Sequence, residues 1–343
     1  MRKILIFALL SLIALISACI VQEEPSLTIV TIPTKTQSSL PATSIPDGEI
    51  ALSEPETIEY QVEQHLTIVN KGPGKPDKHN IWLALITDVA PYQEVVTTSV
   101  SPSDYRIITD EYQNKYAEFD LSEIHPGMEI SIQIQYGVKV NRLAYDLGKC
   151  EGELPTEFVQ PELHIESNNI QIIELANQLS GSEQNPCQQI RSFYDYIGNT
   201  LVYSYNGANW GAQAALGEMG ADCTEFASLM IALSRAAGIP ARYLEGLVYF
   251  PQDADPLART EHAWSEVYLP GVGWVPMDPT LGRSSIYRDV YFAKIPPDHI
   301  ILTRGRNPST LRGSSYWTNL YWPGDSTTIQ VKDAGWTVRP IEP

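Results

Sequence analysis

The sequence predicts an α+β protein: a strand-rich N-terminal part, read as a β-sandwich, followed by a core that mixes helices and strands. Three observations carry this prediction. Residues 128–140 alternate apolar and polar positions over the length of a long strand. After Ser167 the apolar spacing changes to that of helices. Three further strand-like runs then follow a helix that starts near Cys223. A period of two describes a strand with one buried face, and a period near 3.6 a helix with one buried stripe.

The chain has 343 residues, the length of about two domains. Hydrophobic residues make up 43% and charged residues 19%, which excludes a disordered chain. The 41 acidic residues outnumber the 23 basic ones, for a formal net charge of −18. No basic stripe suited to a phosphate backbone is visible, so nucleic acid is not an expected partner.

The first residues stand apart from the fold. Arg2 and Lys3 precede an almost unbroken apolar run from Ile4 to Ile16, and Ser17-Ala18-Cys19 follows. The run is too short for a convincing membrane span and sits where an export signal sits. It resembles a bacterial lipoprotein signal. Residues 1–18 are then expected to be removed, and Cys19 to carry the lipid that anchors the protein at the bacterial cell envelope. Residues 19–49 are dense in Pro, Ser and Thr between Pro25 and Pro46 and are expected to form an extended tether.

Residues 50–165 read as the β-sandwich. Strand candidates are Thr57–Val69, Ile81–Ile86, Glu94–Val100, Tyr116–Leu121 and Met128–Val140, with turn signals at Asn70-Lys71-Gly72 and His125-Pro126-Gly127. Nothing in this half looks catalytic. Residues 166–303 read as the core. Ile172, Leu175, Ala176 and Leu179 fit a helix ending at Gly181, and Pro186 opens a second one with Ile190, Phe193, Tyr194 and Ile197 inward. Val202–Tyr205 reads as a short strand and Ala208–Gly220 as a compact loop with one helical turn. The helix from Cys223 to Ala237 buries Phe226, Leu229, Met230 and Leu233 and stops at Gly238 and Pro240. Strands follow at Arg242–Phe250, His262–Leu269 and Trp274–Asp278. Residues 304–343 form an aromatic-rich extension. Its Tyr316, Trp317, Tyr321, Trp322 and Trp336 could stack on glycan, although such residues more often cap a core.

Cys223, His262 and Asp278 carry the chemistry. Unpaired N–H groups and the helix dipole favour a thiolate at the first turn of a helix, where Cys223 sits. His262 opens a strand, sharing one face with Trp264, Glu266 and Tyr268. Asp278 closes the next strand, where a carboxylate would hold and charge the imidazole. Taken singly, each has an ordinary reading: an inert buried thiol, a surface histidine, an Asp before Pro in a turn. The hairpin imposes a condition. Were Leu269 to face Trp274, His262 and Asp278 would lie on opposite faces, so a triad requires a register shifted by an odd number of residues or a bulge, and such a shift is expected.

Four separated stretches resemble the transglutaminase-like superfamily: Gly-Ala-Asp-Cys-Thr-Glu-Phe-Ala-Ser-Leu, Arg-Ala-Ala-Gly-Ile-Pro-Ala-Arg, His-Ala-Trp-Ser-Glu-Val-Tyr and Gly-Trp-Val-Pro-Met-Asp-Pro-Thr. The resemblance implies a papain-like core with Cys223 as nucleophile, His262 as general base and acid, and Asp278 as orienting carboxylate. It also implies an oxyanion donor upstream of the nucleophile, for which the loop offers Trp210, Gln213 and Tyr205; the Trp210 indole N–H is preferred. The expected protein is a cell-surface, cysteine-dependent enzyme acting on a protein or peptide substrate. Acyl transfer to water would make it a protease or amidase, and transfer to an amine a crosslinking enzyme. The rival reading is a non-catalytic surface binding or scaffold module. No two of the six histidines have zinc-ligand spacing, so no metal and no cofactor is expected. With Cys19 lipidated and Cys223 free to act, Cys150 and Cys187 remain as the expected disulfide pair.

Overall fold

The computed structural model describes residues 57–206, 210–217, 220–250, 260–307, 316–324 and 328–341. The expected signal segment 1–18, the lipidation site Cys19 and the tether 19–49 lie outside the described residues. Among the described residues, no helix is long and apolar enough to cross a membrane.

Six strands open the described chain: β1 (Thr57–Asn70), β2 (Lys78–Ala84), β3 (Gln93–Ser101), β4 (Arg106–Thr109), β5 (Lys115–Asp120) and β6 (Glu129–Asn141). The alternation read in the sequence sets their inner faces. Ile132, Ile134, Tyr136, Val138 and Val140 of β6 are buried, as are Tyr60, Val62, Leu66 and Ile68 of β1. Antiparallel register puts Tyr60 opposite Val138 and Leu66 opposite Ile132, so the apolar faces coincide.

The C-terminal segment departs from its expected status as an extension. Its two strands, β13 (Trp317–Trp322) and β14 (Ile329–Pro340), return to the sandwich. β14 pairs with β1 from Tyr60↔Pro340 to Asn70↔Ile329, and β13 pairs with β2. The sheets therefore run β14-β1-β6-β3 and β13-β2-β5-β4. The physical reason is that β1 and β2 are each paired along one side by β6 and β5, and their other edges hold open N–H and C=O groups that a further strand satisfies. Partly buried Tyr316, Trp317 and Trp336 pack against the sandwich core, the second of the two roles weighed for these aromatics.

The core follows the helical spacing. α1 (Ile170–Ser180) is capped by Asn169 and followed by Gly181. α2 (Pro186–Thr200) starts on its proline behind the cap Asn185. α3 (Ala212–Ala215) is the single turn expected in the loop, and α4 (Cys223–Ala236) is the central helix. The Val202–Tyr205 segment makes one parallel bridge, Tyr203↔Ala221, in place of the expected strand. A third four-stranded sheet, in the core, has the order β10-β9-β8-β12, from β8 (Ala241–Val248), β9 (Glu261–Leu269), β10 (Gly273–Met277) and β12 (His299–Arg304). The two-residue strands β7 (Leu143–Ala144) and β11 (Lys294–Ile295) pair with each other.

This sheet is buried on both faces. Ala241, Tyr243, Ala263, Val267 and Val275 pack with the helices, while Leu244, Leu247, Trp264 and Ile300 pack with the sandwich. Sandwich side chains also grip the main chain of β12. Gln93 donates to the Ile301 carbonyl at 2.9 Å and accepts its N–H at 2.7 Å. Asn114 does the same for Arg304, at 2.8 Å each way. The described residues accordingly form one compact unit. Cys150, beyond β7, is disulfide-bonded to Cys187 in the first turn of α2, with Cα atoms 6.1 Å apart, as expected.

Candidate active site

α4 presents Cys223 as its first residue, and the preceding residue organises that helix end. The Asp222 carboxylate accepts the Thr224 N–H at 3.0 Å, while the Glu225 carboxylate accepts the Asp222 N–H at 3.0 Å, which completes a capping box. Glu225 also takes the Asn206 amide at 2.9 Å, tying the preceding loop to the helix start. Burial raises the Glu225 carboxyl above its ordinary value, against the hydrogen bonds from Thr224, Asp222 and Asn206. Cys223 is a partly exposed free thiol. As a first-turn residue it has a backbone N–H with no intrahelical acceptor.

β9 and β10 place the other two residues. Leu269 faces Gly273 and Ser265 faces Met277. This register is one residue away from the one that would separate His262 from Asp278, so the expected odd shift is present. Gly271 and Gly273 take positive φ values of 74° and 98° in the turn, which only glycine adopts readily. Asp278, just past β10, thus continues on the side of Trp264 and His262. His262 Nε2 lies 2.8 Å from Asp278 Oδ2. The Cys223 thiol hydrogen-bonds the same imidazole, and with Nε2 engaged that contact falls to Nδ1. The His262 ring is thus shared between Cys223 and Asp278.

Burial sharpens the electrostatics. His262 and Asp278 are 7% and 3% exposed. Burial disfavours the imidazolium, yet the Asp278 charge, its hydrogen bond and the thiol outweigh that and raise His262 to about 9. Burial likewise disfavours the Asp278 carboxylate, but His262 and His299 hold it well below the usual carboxylate range. Asp278 Oδ1 accepts the N–H groups of Thr280 at 2.8 Å and Leu281 at 3.0 Å, so each oxygen is held by two donors. Trp264, wholly buried, stacks on His262 at 6.0 Å with an 18° tilt.

His299 was not legible as a site residue. It opens β12, is fully buried, and brings Nε2 to 3.2 Å from Asp278 Oδ2. Asp298 Oδ1 meets its Nδ1 at 2.7 Å. The Asp298-His299 dipeptide itself was the only local signal. Trp210 is partly exposed, and its carbonyl accepts from the Arg306 guanidinium at 2.9 Å. Gln213 is exposed with its N–H on Glu166, and Tyr205 is 54% exposed. The structure thus brings Cys223, His262 and Asp278 together and leaves the upstream oxyanion donor open among these three.

One ring nitrogen each of His262 and His299 and one carboxylate oxygen of Asp278 lie within 4.8 Å of one another, a proximity absent from the linear spacing of the histidines. Their separations are those of hydrogen bonds that converge on Asp278 Oδ2.

The thiol at a helix start, facing a histidine on one strand and an aspartate just beyond the next, defines a papain-like α+β core. The family model of the transglutaminase-like superfamily matches residues 173–279, which include Cys223, His262 and Asp278, and that segment is a transglutaminase-like domain. Over 125 residues the chain is 29% identical to the uncharacterized protein YebA of Bacillus subtilis, covering 32% of this chain and 17% of that protein. Over 144 residues it is 25% identical to an uncharacterized protein of Haemophilus influenzae, covering 36% of this chain and 39% of that one. These matches span well under half of either curated relative. A candidate cysteine protease from Cytophaga hutchinsonii has the same fold, with a TM-score of 0.61 at 16% identity, over 84% of this chain and 92% of that one. That coverage extends beyond the family segment into the sandwich.

Proposed function

We propose that this protein is a cysteine-dependent enzyme that attacks amide or peptide bonds of a protein or peptide substrate through Cys223, His262 and Asp278. The observation that carries the reading is the buried His262 ring, hydrogen-bonded to Asp278 Oδ2 at 2.8 Å and acted on by the Cys223 thiol. Thiolate attack forms the S–C bond and a tetrahedral oxyanion, for which the Cys223 N–H and the Trp210 indole are the proposed donors. His262 Nδ1–H then protonates the departing nitrogen, the C–N bond breaks, and a thioester remains. Water or an amine attacks that thioester, His262 accepts the proton, and the Cys223 sulfur leaves. Asp278 stabilises the imidazolium without itself taking the proton. Water as acceptor makes the enzyme a protease or amidase; a lysine amine makes it a crosslinking enzyme. The N-terminal signal pattern supports placement at the cell envelope, with lipid on Cys19 and residues 19–49 as tether.

The test is one protein-substrate assay with three readouts: ammonia release, incorporation of a labelled amine, and peptide cleavage. At least one is expected with the wild type and none with Cys223→Ala. Equal product from both proteins would overturn the reading. A scaffold role would show as Cys223 alkylation no faster than that of free cysteine near neutral pH.

A further inference from the structure

We propose that His299 is a positioning residue: held as a cation between Asp278 and Asp298, it keeps Asp278 charged and aimed at His262. The proposal rests on the triad reading above.

Hydrogen-bond chemistry points to the cation. Nδ1 lies 2.7 Å from Asp298 Oδ1, and Nε2 lies 3.2 Å from Asp278 Oδ2. A carboxylate only accepts, and a neutral imidazole has a single N–H. A neutral ring would therefore set a lone pair against one of these oxygens. The imidazolium satisfies both.

Charge balance explains why such a cation belongs here. In the reactive form the Cys223 thiolate and Asp278 carboxylate flank a single His262 imidazolium, which leaves one uncompensated negative charge in a buried site. His299 offsets it. Asp298, with a side chain 25% exposed, is the array's solvent-facing end. Its other oxygen, Oδ2, takes the Tyr291 hydroxyl at 3.3 Å. The remaining neighbours of the His299 ring are the His262 ring at 5.8 Å, the Trp264 ring edge-on at 4.9 Å and the Tyr291 ring at 5.8 Å. From the sandwich, the Tyr92 hydroxyl holds the His299 carbonyl and the Tyr60 hydroxyl holds that of Pro297 at 2.9 Å. The sandwich thus holds the main chain that carries the ring. Burial lowers the histidine's proton affinity, but the two carboxylates outweigh that and raise it to about 9.

Two measurements on the full chain test the proposal. In the wild type, 15N-histidine NMR at pH 7 should show both ring nitrogens of His299 protonated. The signal is assigned by its loss in His299→Gln, or by its response to Asp298→Asn should that variant not fold. The second measurement is the pH dependence of Cys223 alkylation by iodoacetamide, read on the Cys223 peptide by mass. Replacing the cation by a neutral amide adds net negative charge and loosens Asp278, and both effects disfavour the thiolate. In folded His299→Gln, the rising limb of the labelling profile should move to higher pH by about one unit, an approximately tenfold loss of labelling at any pH on that limb. A neutral His299 in the wild type, or an unchanged labelling profile in the folded variant, would overturn the proposal. A wild-type profile like that of an ordinary thiol would instead overturn the triad reading, and the array with it.

Discussion

The Tyr316 hydroxyl accepts the main-chain N–H of His262 at 3.1 Å and lies 2.9 Å from the carbonyl oxygens of both His262 and Gly246. Tyr316 immediately precedes β13, so the segment that completes the sandwich also grips the strand end that carries the proposed base. The sandwich is in this sense part of the site: with Gln93, Asn114, Tyr92 and Tyr60 it fixes both His262 and the neighbouring β12. Tyr316→Phe removes the acceptor and leaves the His262 N–H without that partner. A stability loss of about 1–3 kcal/mol is expected, with kcat falling more than KM rises. Urea unfolding and steady-state kinetics check this; wild-type values in both would sink it.

Asp278→Asn should keep a contact with the His262 ring while removing the charge that favours the imidazolium. Its two main-chain donors, Thr280 and Leu281, can still be accepted by the amide oxygen. Activity is expected to fall by at least about a hundredfold, with a smaller loss than in Cys223→Ala. A drop of less than fivefold in a folded variant would remove Asp278 from the mechanism.

The buried histidines give stability a maximum near neutral pH. His262 is raised from 6.5 to about 9 and His299 likewise. Their contribution is complete below 6.5 and is lost as pH rises through about 9. Asp278 is depressed, so its contribution is present above the unfolded value and is lost only as pH falls through its lower folded value. His79 behaves in the opposite sense to His262. Both its ring nitrogens lack a hydrogen-bond partner among the described residues, and burial lowers it from 6.5 to about 4. The unfolded chain binds that proton first, so stability falls as pH drops from 6.5 towards 4. Thermal melts from pH 4.5 to 9.5 should show both limbs, and His79→Phe should flatten the acid one. An unaltered acid limb in that variant would contradict the assignment.

Cys150 and Cys187 are 37 residues apart in sequence, and closing such a loop contributes about 4 kcal/mol in the chain-entropy account. The double replacement Cys150→Ser/Cys187→Ser should lower the urea midpoint accordingly, while Cys223 still labels. An unchanged midpoint, or a reduced and unfolded chain that titrates no more thiols than the unreduced one, would count against the bond.

Gly246 explains how β12 comes so near. A side chain at Gly246 would collide with the Ile300 carbonyl and with the indole of Trp264. Gly246→Ala is therefore expected to push β12 and Trp264 apart, costing about 2–4 kcal/mol and most of the activity. Calorimetry and the protein-substrate assay together check this; a melting temperature within a degree of wild type would refute it.

Much of this arrangement is legible in local patterns. Alternation along β6, the helix starts and stops at Gly181, Pro186 and Gly238, and the glycine-rich turn at 270–273 each act over a few residues, and each is visible in the chain. The requirement that His262 and Asp278 share a face even implied the register of β9 and β10. What escaped was long-range. β14 closes on β1 across more than two hundred residues, and a register shift at Thr67/Ile68 breaks its alternation. His299 lies 21 residues beyond Asp278 and becomes a neighbour only because β12 crosses to β8. Val202–Tyr205 has strand-like composition but finds one bridge partner, Ala221.

In the proposed mechanism Cys223 carries an acyl group during turnover. Wild-type protein is mixed with a glutamine-containing peptide or protein substrate, quenched in acid within the first turnover, and mapped by mass spectrometry. An adduct of the acyl fragment on Cys223, labile to hydroxylamine and absent in Cys223→Ala, is expected. Turnover that proceeds at the wild-type rate in Cys223→Ala, or an adduct on another residue, would contradict it.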